Sequence, residues 1–341
     1  MREVAAGEWD ELLVELGCAD AYLLRRYVES ACVLDPGEPM LLHLAGSGGS
    51  VVFACIVREI PGAGRPDVTT PYGYGGPVGI GAEPPVARFS ELYDAWCAER
   101  GVVSTFIRFH PLFENHRAAG PRVHAACVGP TVGWPLSGDL LEGMHGKHRN
   151  TLRKALKAGV TVDASPAPSD LADFVSLYEL TMRRQQASAY YFFPTSYWDA
   201  LADLGDRLVL FDASLDGEVV ASALCLRGDR WLHYHLSATR DSARDLGASN
   251  LLLYEAALWG HAHGLEEFHL GGGAGGREDS LLAFKRRFSP DGTREFWTGK
   301  AVHDETAYRR LAGGAEIDYE GHFPAYRVPG ALPQAAGTRS G

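Results

Sequence analysis

One lysine interrupts an otherwise apolar helical arc late in the chain. It lies in GGGAGGREDSLLAFKRRF, residues 271 to 288, where Asp279 or Ser280 can cap a helix. At about 100° per residue, Leu281, Phe284 and Phe288 share one side and Leu282 flanks it. Lys285 falls inside that arc, whereas Arg286 and Arg287 point elsewhere. A desolvated ammonium beside a glycine loop suits the stabilisation of developing negative charge. The bland reading is a core-edge lysine that snorkels to water. The glycines before it spell a literal G-x-G-x-x-G in Gly271, Gly273 and Gly276. In a dinucleotide fold that motif follows the first strand; here it follows the last strand of its unit, and no Lys-Ser or Lys-Thr succeeds it. The spacing therefore predicts a strand-to-helix connection, and no cofactor is expected.

A second chemical segment is GKHRNTLRKALK. Three of the five lysines lie there, Lys147, Lys154 and Lys157. Arg149, Arg153 and Lys157 recur every fourth residue as a basic stripe, leaving Leu152, Ala155 and Leu156 for the inner face. With Arg286 and Arg287, these residues are candidates for holding a small polyanion; a solvated surface helix is the alternative. The segment LTMRRQQASAYYFF ends a helix with Arg183 and Arg184 and then meets Tyr190, Tyr191, Phe192 and Phe193. Such a cluster lines a substrate cleft or simply packs a core. The loop PYGYGGPVG offers Tyr72 and Tyr74 as residues that close over a ligand. His233 with His235, and His261 with His263, have no third partner at a metal-like spacing, so no metal site is expected. No G-x-S-x-G elbow is present and no covalent intermediate is indicated.

The elements that must position these groups repeat. AWCAERGVVSTFIRFHP runs from a helix through Gly101 into an apolar strand, and LWGHAHGLEEFHLGG does the same through Gly264. Each glycine follows a tryptophan, Trp96 or Trp259, by five residues and suits a left-handed helix cap. Apolar strands precede both, and Asp216-Gly217 and Gly228-Asp229 supply hairpin turns in the second half. The pattern predicts two mixed α/β units of mostly antiparallel sheet flanked by helices. The expected divisions are residues 1–144, residues 145–300 with the candidate site, and a segment 301–341 with a mobile tail from about residue 325. At 341 residues the chain is long enough for two cores.

The net charge of −11 excludes a general nucleic-acid binder, but two concentrated basic segments leave room for local polyanion contacts. No apolar stretch approaches the roughly 18 residues of a membrane span. The acidic start MREVAAGEWDELLVEL does not read as a signal peptide, and six cysteines without a C-x-x-C pair fit a reducing cytoplasm.

Taken in order, HRNTLRKALKAGV, FVSLYELTMRR with its aromatics, VVASALCL, YHLSAT, LGASNLLLYEAALWGHAHG, FHLGGGAGG and LLAFKRRF resemble the Fem-type (FemABX) aminoacyltransferases. The resemblance covers most of residues 145 to 290, and the duplication extends it to the first half. It implies two tandem GNAT-like domains and a reaction in which an amino acid passes from aminoacyl-tRNA to an amine. The family's Phe-Lys pair corresponds to Phe284 and Lys285. The basic segments would then contact the tRNA acceptor end, and Arg183, Arg184, Tyr190, Tyr191, Tyr234, Tyr72 and Tyr74 the substrates. The peptidoglycan enzymes use a lysine of domain one, whereas this chain has none before Lys147. The acceptor is accordingly a peptidoglycan precursor or another small-molecule or peptide amine, such as a natural-product intermediate. RDLGAS resembles a degenerate pyrophosphate loop, so acyl-CoA transfer through Gly247, Ala248 and Ser249 is the first alternative. A non-catalytic binding protein on the same fold is the second.

Overall fold

The computed structural model describes residues 1–327. Strands β1 (Arg2–Glu3), β2 (Glu38–Gly46), β3 (Gly48–Glu59), β4 (Pro66–Thr69), β5 (Val78–Glu83) and β6 (Ser104–Arg108) come first. They are followed by β7 (His124–Pro135), β8 (Thr161–Pro166), β9 (Leu208–Leu215), β10 (Glu218–Arg227), β11 (Trp231–Thr239), β12 (Glu267–Gly272) and β13 (Thr293–Val302). The early helices are α1 (Trp9–Glu15), α2 (Arg25–Ala31), α3 (Val86–Arg100) and α4 (Leu140–Gly143). The later ones are α5 (Gly146–Lys157), α6 (Ala172–Arg184), α7 (Thr195–Ala202), α8 (Ala248–Ala262), α9 (Ser280–Arg286) and α10 (Glu305–Leu311). Among the described residues, no helix is long and apolar enough to cross a membrane.

Two compact units result. The first comprises residues 1–17, 35–127 and the chain from Trp297 onward; the second comprises 18–34 and 128–296. The chain passes from one to the other inside β7 and returns inside β13. These are not the contiguous blocks drawn at residues 144 and 300. Residues 18–34 join the second unit because Asp229 N–H donates to Ala19 O, His233 Nε2 meets Asp20 Oδ2 at 2.7 Å, and Arg26 donates to Asp203 O. The end of the described chain is docked in the first unit. Tyr326 is buried, its hydroxyl bonded to Ser104 and Asp67, while Arg327 pairs with the same carboxylate. The remainder of the expected tail lies outside the described residues.

In the first unit β2 and β3 form a hairpin, and the other edge of β3 pairs with β5 and then β4. Strand β4 meets β6 in parallel, and β6 meets β13 antiparallel. In the second unit the order is β7-β12-β11-β10-β9-β8, antiparallel except for β11 beside β12. Asp216 and Gly217 both adopt positive φ in the β9–β10 hairpin, as a two-residue I′ turn demands. Seven consecutive residues of β10 are buried, which fits a central strand covered on both faces. Helix α8 is apolar almost all round because it packs between α5 and the β8–β12 strands. In each unit the helix before the parallel strand ends at a left-handed glycine, Gly101 (φ 67°) or Gly264 (φ 75°). The expected helix–glycine–strand repeat is present in both.

Candidate active site

Strands β11 and β12 pair only from Trp231–Glu267 to His233–His269. Beyond that point β11 follows β10 to Thr239, and β12 follows β7 to Gly272. Both strands shift register where they part, β11 against Leu224 and Cys225 and β12 between His269 and Gly271. Such irregularities bend a strand and leave backbone groups outside the ladder. The result is a wedge in an otherwise closed sheet. In the first unit the corresponding gap is closed. Thr70 N–H donates to Phe106 O, the Thr70 hydroxyl accepts from Arg108 N–H, and Gly75 N–H donates to Arg108 O.

Lys285 reaches the wedge of the second unit. Asp279 begins α9, accepting the Leu282 N–H at 2.9 Å. The buried stripe is Leu282, Lys285 and Phe288, while Leu281 is 42% exposed. The phase expected from sequence is therefore corrected by one residue: Leu281 leaves the inner face and Lys285 takes its middle. Lys285 is 7% exposed. Its Nζ donates to Gly272 O at 2.7 Å, on the last residue of β12, and stands 5.5 Å from the ring centroid of Tyr234 on β11. The ammonium thus touches both splayed strands. Burial lowers its pKa from 10.5 to about 8, partly opposed by the Asp279 charge. One of its three donors is committed to Gly272, so a polarised, weakly hydrated cation faces the wedge.

The glycine loop serves this placement. Asp279 Oδ2 also accepts the Ala274 N–H at 2.8 Å, folding the loop onto the helix start. A Cβ on Gly273 would collide with Arg277 O and Asp279 Oδ1, and one on Gly276 with Val128. Close backbone approach accounts for glycine at positions 273 and 276.

Two histidines tie α9 to α5. His145 N–H donates to Arg287 O at 2.9 Å, and His148 Nε2 bonds Phe284 O at 3.0 Å. The His148 ring packs edge-on to Phe288, with centroids 4.5 Å apart, and 5.1 Å from Phe284. Sequence reasoning missed His148. Its signal was the stripe His148, Leu152, Ala155, all buried, whereas Leu156, assigned to the inner face, is 57% exposed. Burial lowers the His148 pKa to about 4, with Phe284 O opposing, so the ring is neutral at pH 7. The unfolded chain binds the proton more readily, and stability therefore falls as pH drops from about 6.5 through about 4. His148→Gln, which keeps an amide donor but does not titrate, should flatten that acid limb in melts between pH 7 and pH 5. An unchanged limb would remove His148 from it.

The other sequence candidates fall in several places. Phe284 is half-buried against His148, and Tyr234 lies under Lys285; these two join the site. Arg183 pairs with Glu179 on the surface. Arg184 donates to Thr239 O at the end of β11 and pairs with Asp241. Tyr190 is exposed, Tyr191 half-buried beside it, and Phe193 sits in an aromatic core with Tyr178 and Trp198. Tyr72 and Tyr74 belong to the first unit, on a loop that Asn115 pins through Gly75 O and Pro77 O. On α5, Lys147, Arg153 and Lys157 are exposed, and Lys154 donates to Asp245 O. Arg149 is not part of a free stripe, because it donates to Glu142 O and Met144 O. Arg286 pairs with Glu278, and Arg287 is half-buried. Gly247 backs onto Thr151, where a Cβ would lie 2.5 Å from Cγ2, so packing accounts for that glycine. His233, His235, His261 and His263 all have hydrogen-bond partners.

Residues 145–286 match the family model for an acetyltransferase (GNAT) domain. FemX is similar over 91% of this chain and 99% of its own, with 16% identity and a TM-score of 0.68. The chain shares the fold of FemX, and its residues 145–286 match a GNAT domain. A conserved protein of unknown function from Bacteroides thetaiotaomicron is similar over 88% of this chain and 98% of its own (11% identity, TM-score 0.58). So is the C-terminal DUF2156 domain of a putative lysylphosphatidylglycerol synthetase from Agrobacterium fabrum, over 89% and 93% (13% identity, TM-score 0.53). No curated sequence matches the chain. The family match supports an acyltransferase domain of the GNAT type over residues 145–286.

Proposed function

We propose that the protein is an aminoacyltransferase that moves an amino acid from aminoacyl-tRNA to an amine acceptor. The observation that carries this reading is the Lys285 ammonium, buried, tethered to Gly272 O and facing the parted strands. The acceptor nitrogen attacks the ester carbonyl carbon, a C–N bond forms, and the carbonyl oxygen becomes an oxyanion. Lys285 holds that charge together with backbone N–H groups at the register shifts. The bond to the ribose oxygen then breaks, and the proton lost by the amine ends on that oxygen. The ester supplies the driving force, so positioning and electrostatics suffice. Tyr234 confines the ammonium, and Phe284 with His148 fixes the helix that carries it.

The exposed cations of α5 suit the donor's phosphates. Arg153→Ala with Lys157→Ala should weaken donor binding at low salt and lower the salt slope by about 1–2. Arg149→Ala should instead cost about 1–3 kcal/mol of stability, since two carbonyls lose a charged donor. An unchanged salt slope in the double variant would return α5 to a solvated surface.

The donor is tested by incubating the protein with labelled amino acid, synthetase, ATP and tRNA, with amines that include a lysine-bearing peptide. Amide product that ribonuclease abolishes supports the reading. Product formed only from an acyl-CoA would overturn it in favour of CoA-dependent transfer.

A further inference from the structure

Three histidines that the transfer mechanism leaves aside lie where β11 and β12 part. His233 and His269 form the last pair of the two strands. His235 is the extra residue of the β11 bulge, since Cys225 pairs with Tyr234 and Leu224 with Leu236. A bulge residue has lost its place in the ladder, so its backbone is held by whatever its side chain grips. Each of the three rings is gripped. His269 Nε2 bonds the Thr131 hydroxyl on β7 at 3.0 Å, with both residues buried. His233 Nε2 meets Asp20 Oδ2 at 2.7 Å. His235 Nε2 bonds the Tyr197 hydroxyl of α7 at 3.2 Å, and its Nδ1 the Tyr22 hydroxyl at 3.4 Å.

The grip on His235 comes from two distant parts of the second unit. Asp20 caps the short 3₁₀ turn Ala21–Leu23, one carboxylate oxygen accepting the Tyr22 N–H at 3.0 Å while the other holds His233. One side chain thereby fixes both the last paired residue and the tyrosine that reaches the bulge. Tyr22, Tyr27 and Tyr197 are each at most 2% exposed, and the Tyr27 ring stands edge-on to His235 with centroids 5.9 Å apart. A neutral imidazole has one donor and one acceptor, and a phenol hydroxyl plays either part, so either tautomer satisfies the two hydroxyls. Burial, with His233 adding to it, lowers the His235 pKa to about 3, which keeps the ring neutral at pH 7. His235 is therefore no store for the amine's proton. Its neighbour Tyr234 has its ring 5.5 Å from the Lys285 ammonium. The bulge thus sets the backbone of β11 beside the group assigned to the oxyanion.

We propose that His235 is a positioning residue for acyl transfer, clamped by Tyr22 and Tyr197 so that the backbone N–H groups at the β11 bulge are already aimed when the oxyanion forms. Preorganised donors need no rearrangement at the moment of reaction, whereas a misplacement of about 1 Å costs on the order of a hundred-fold. The inference rests on the acyl-transfer reading of Lys285. It makes residues 18–34 part of the second unit's site, although they lie far outside the matched domain. A tRNA ester and a CoA thioester give the same kind of oxyanion, so the clamp is indifferent to the donor.

Tyr22→Phe with Tyr197→Phe removes both hydroxyls and keeps both rings in the core. In the full chain it should lower kcat about ten- to a hundred-fold and leave KM for the donor nearly unchanged. The assay uses whichever of aminoacyl-tRNA and acyl-CoA yields product with the unaltered protein. Backbone amide exchange, measured without ligand, should quicken about tenfold over residues 234–237 and stay as it was over Leu208–Leu215 of β9. Tyr197→Phe alone should show the same pattern at smaller size, which keeps the test open if the double variant does not fold. Normal kcat in a folded variant, or exchange that quickens equally throughout the sheet, overturns the proposal and leaves the aminoacyl-tRNA reading standing. Product from acyl-CoA alone overturns that reading and leaves the clamp. Product from neither donor overturns both.

Discussion

Replacing Lys285 by methionine should slow turnover about a hundred- to a thousand-fold while making the protein more stable. The two effects share one cause. An ammonium that is 7% exposed is poorly solvated, and its pKa of about 8 against an ordinary 10.5 measures the strain. The folded state binds that proton less tightly than the unfolded chain does. Burial of the charge therefore costs about 3 kcal/mol below pH 8, and the cost disappears as pH rises from about 8 to 10.5. Methionine retains most of the stem's volume without the charge, so the variant should melt higher at pH 7. The same ammonium is what an oxyanion requires. Loss of one such donor removes roughly 3–4 kcal/mol of transition-state stabilisation. Thermal melts and saturating-donor kinetics on one preparation read both. A folded variant with normal turnover would make Lys285 a packing residue.

Asp279→Ala should lower stability and move the pH dependence of the rate together. Asp279 caps α9 through Leu282 N–H, folds the glycine loop through Ala274 N–H, and is the charge that raises the Lys285 pKa. Cap loss costs about 1–2 kcal/mol. Without the carboxylate the Lys285 pKa falls below about 8, so the alkaline limb of the pH–rate profile should move to lower pH. Asp279→Asn separates the two contributions: it keeps the cap to Leu282 and most of the stability but still moves the limb. A limb that stays in place in both variants would mean that the Lys285 proton is not what the rate follows.

The sequence made Lys285 visible because a lysine inside an apolar helical arc is conspicuous in a chain with only five lysines. The arc's phase was less legible. Helix α9 has seven residues, too few for periodicity alone to separate Leu281 from Leu282, and the cap at Asp279 decides it. His148 was hidden by the charges around it. The β9–β10 and β10–β11 hairpins followed from Asp216-Gly217 and Gly228-Asp229, turns that act locally. The makeup of the units did not, because Asp20 and His233, whose contact draws residues 18–34 into the second unit, are 213 residues apart. Tyr72 and Tyr74 likewise looked free to close on a ligand, while Asn115, about forty residues later, pins their loop. Parting of β11 from β12 has no sequence signature beyond the glycines at its end.

Lys285 is expected to act on the tetrahedral state and not on the bound ester. The most direct measurement compares two analogues of the aminoacyl-adenosine end of the donor. One carries a stable planar amide in place of the ester, the other a tetrahedral phosphonate in place of the carbonyl. The unaltered protein should bind the phosphonate about a hundred-fold or more tightly than the amide, and Lys285→Met should lose most of that difference while binding the amide normally. Equal preference for the phosphonate in both proteins would contradict the assignment.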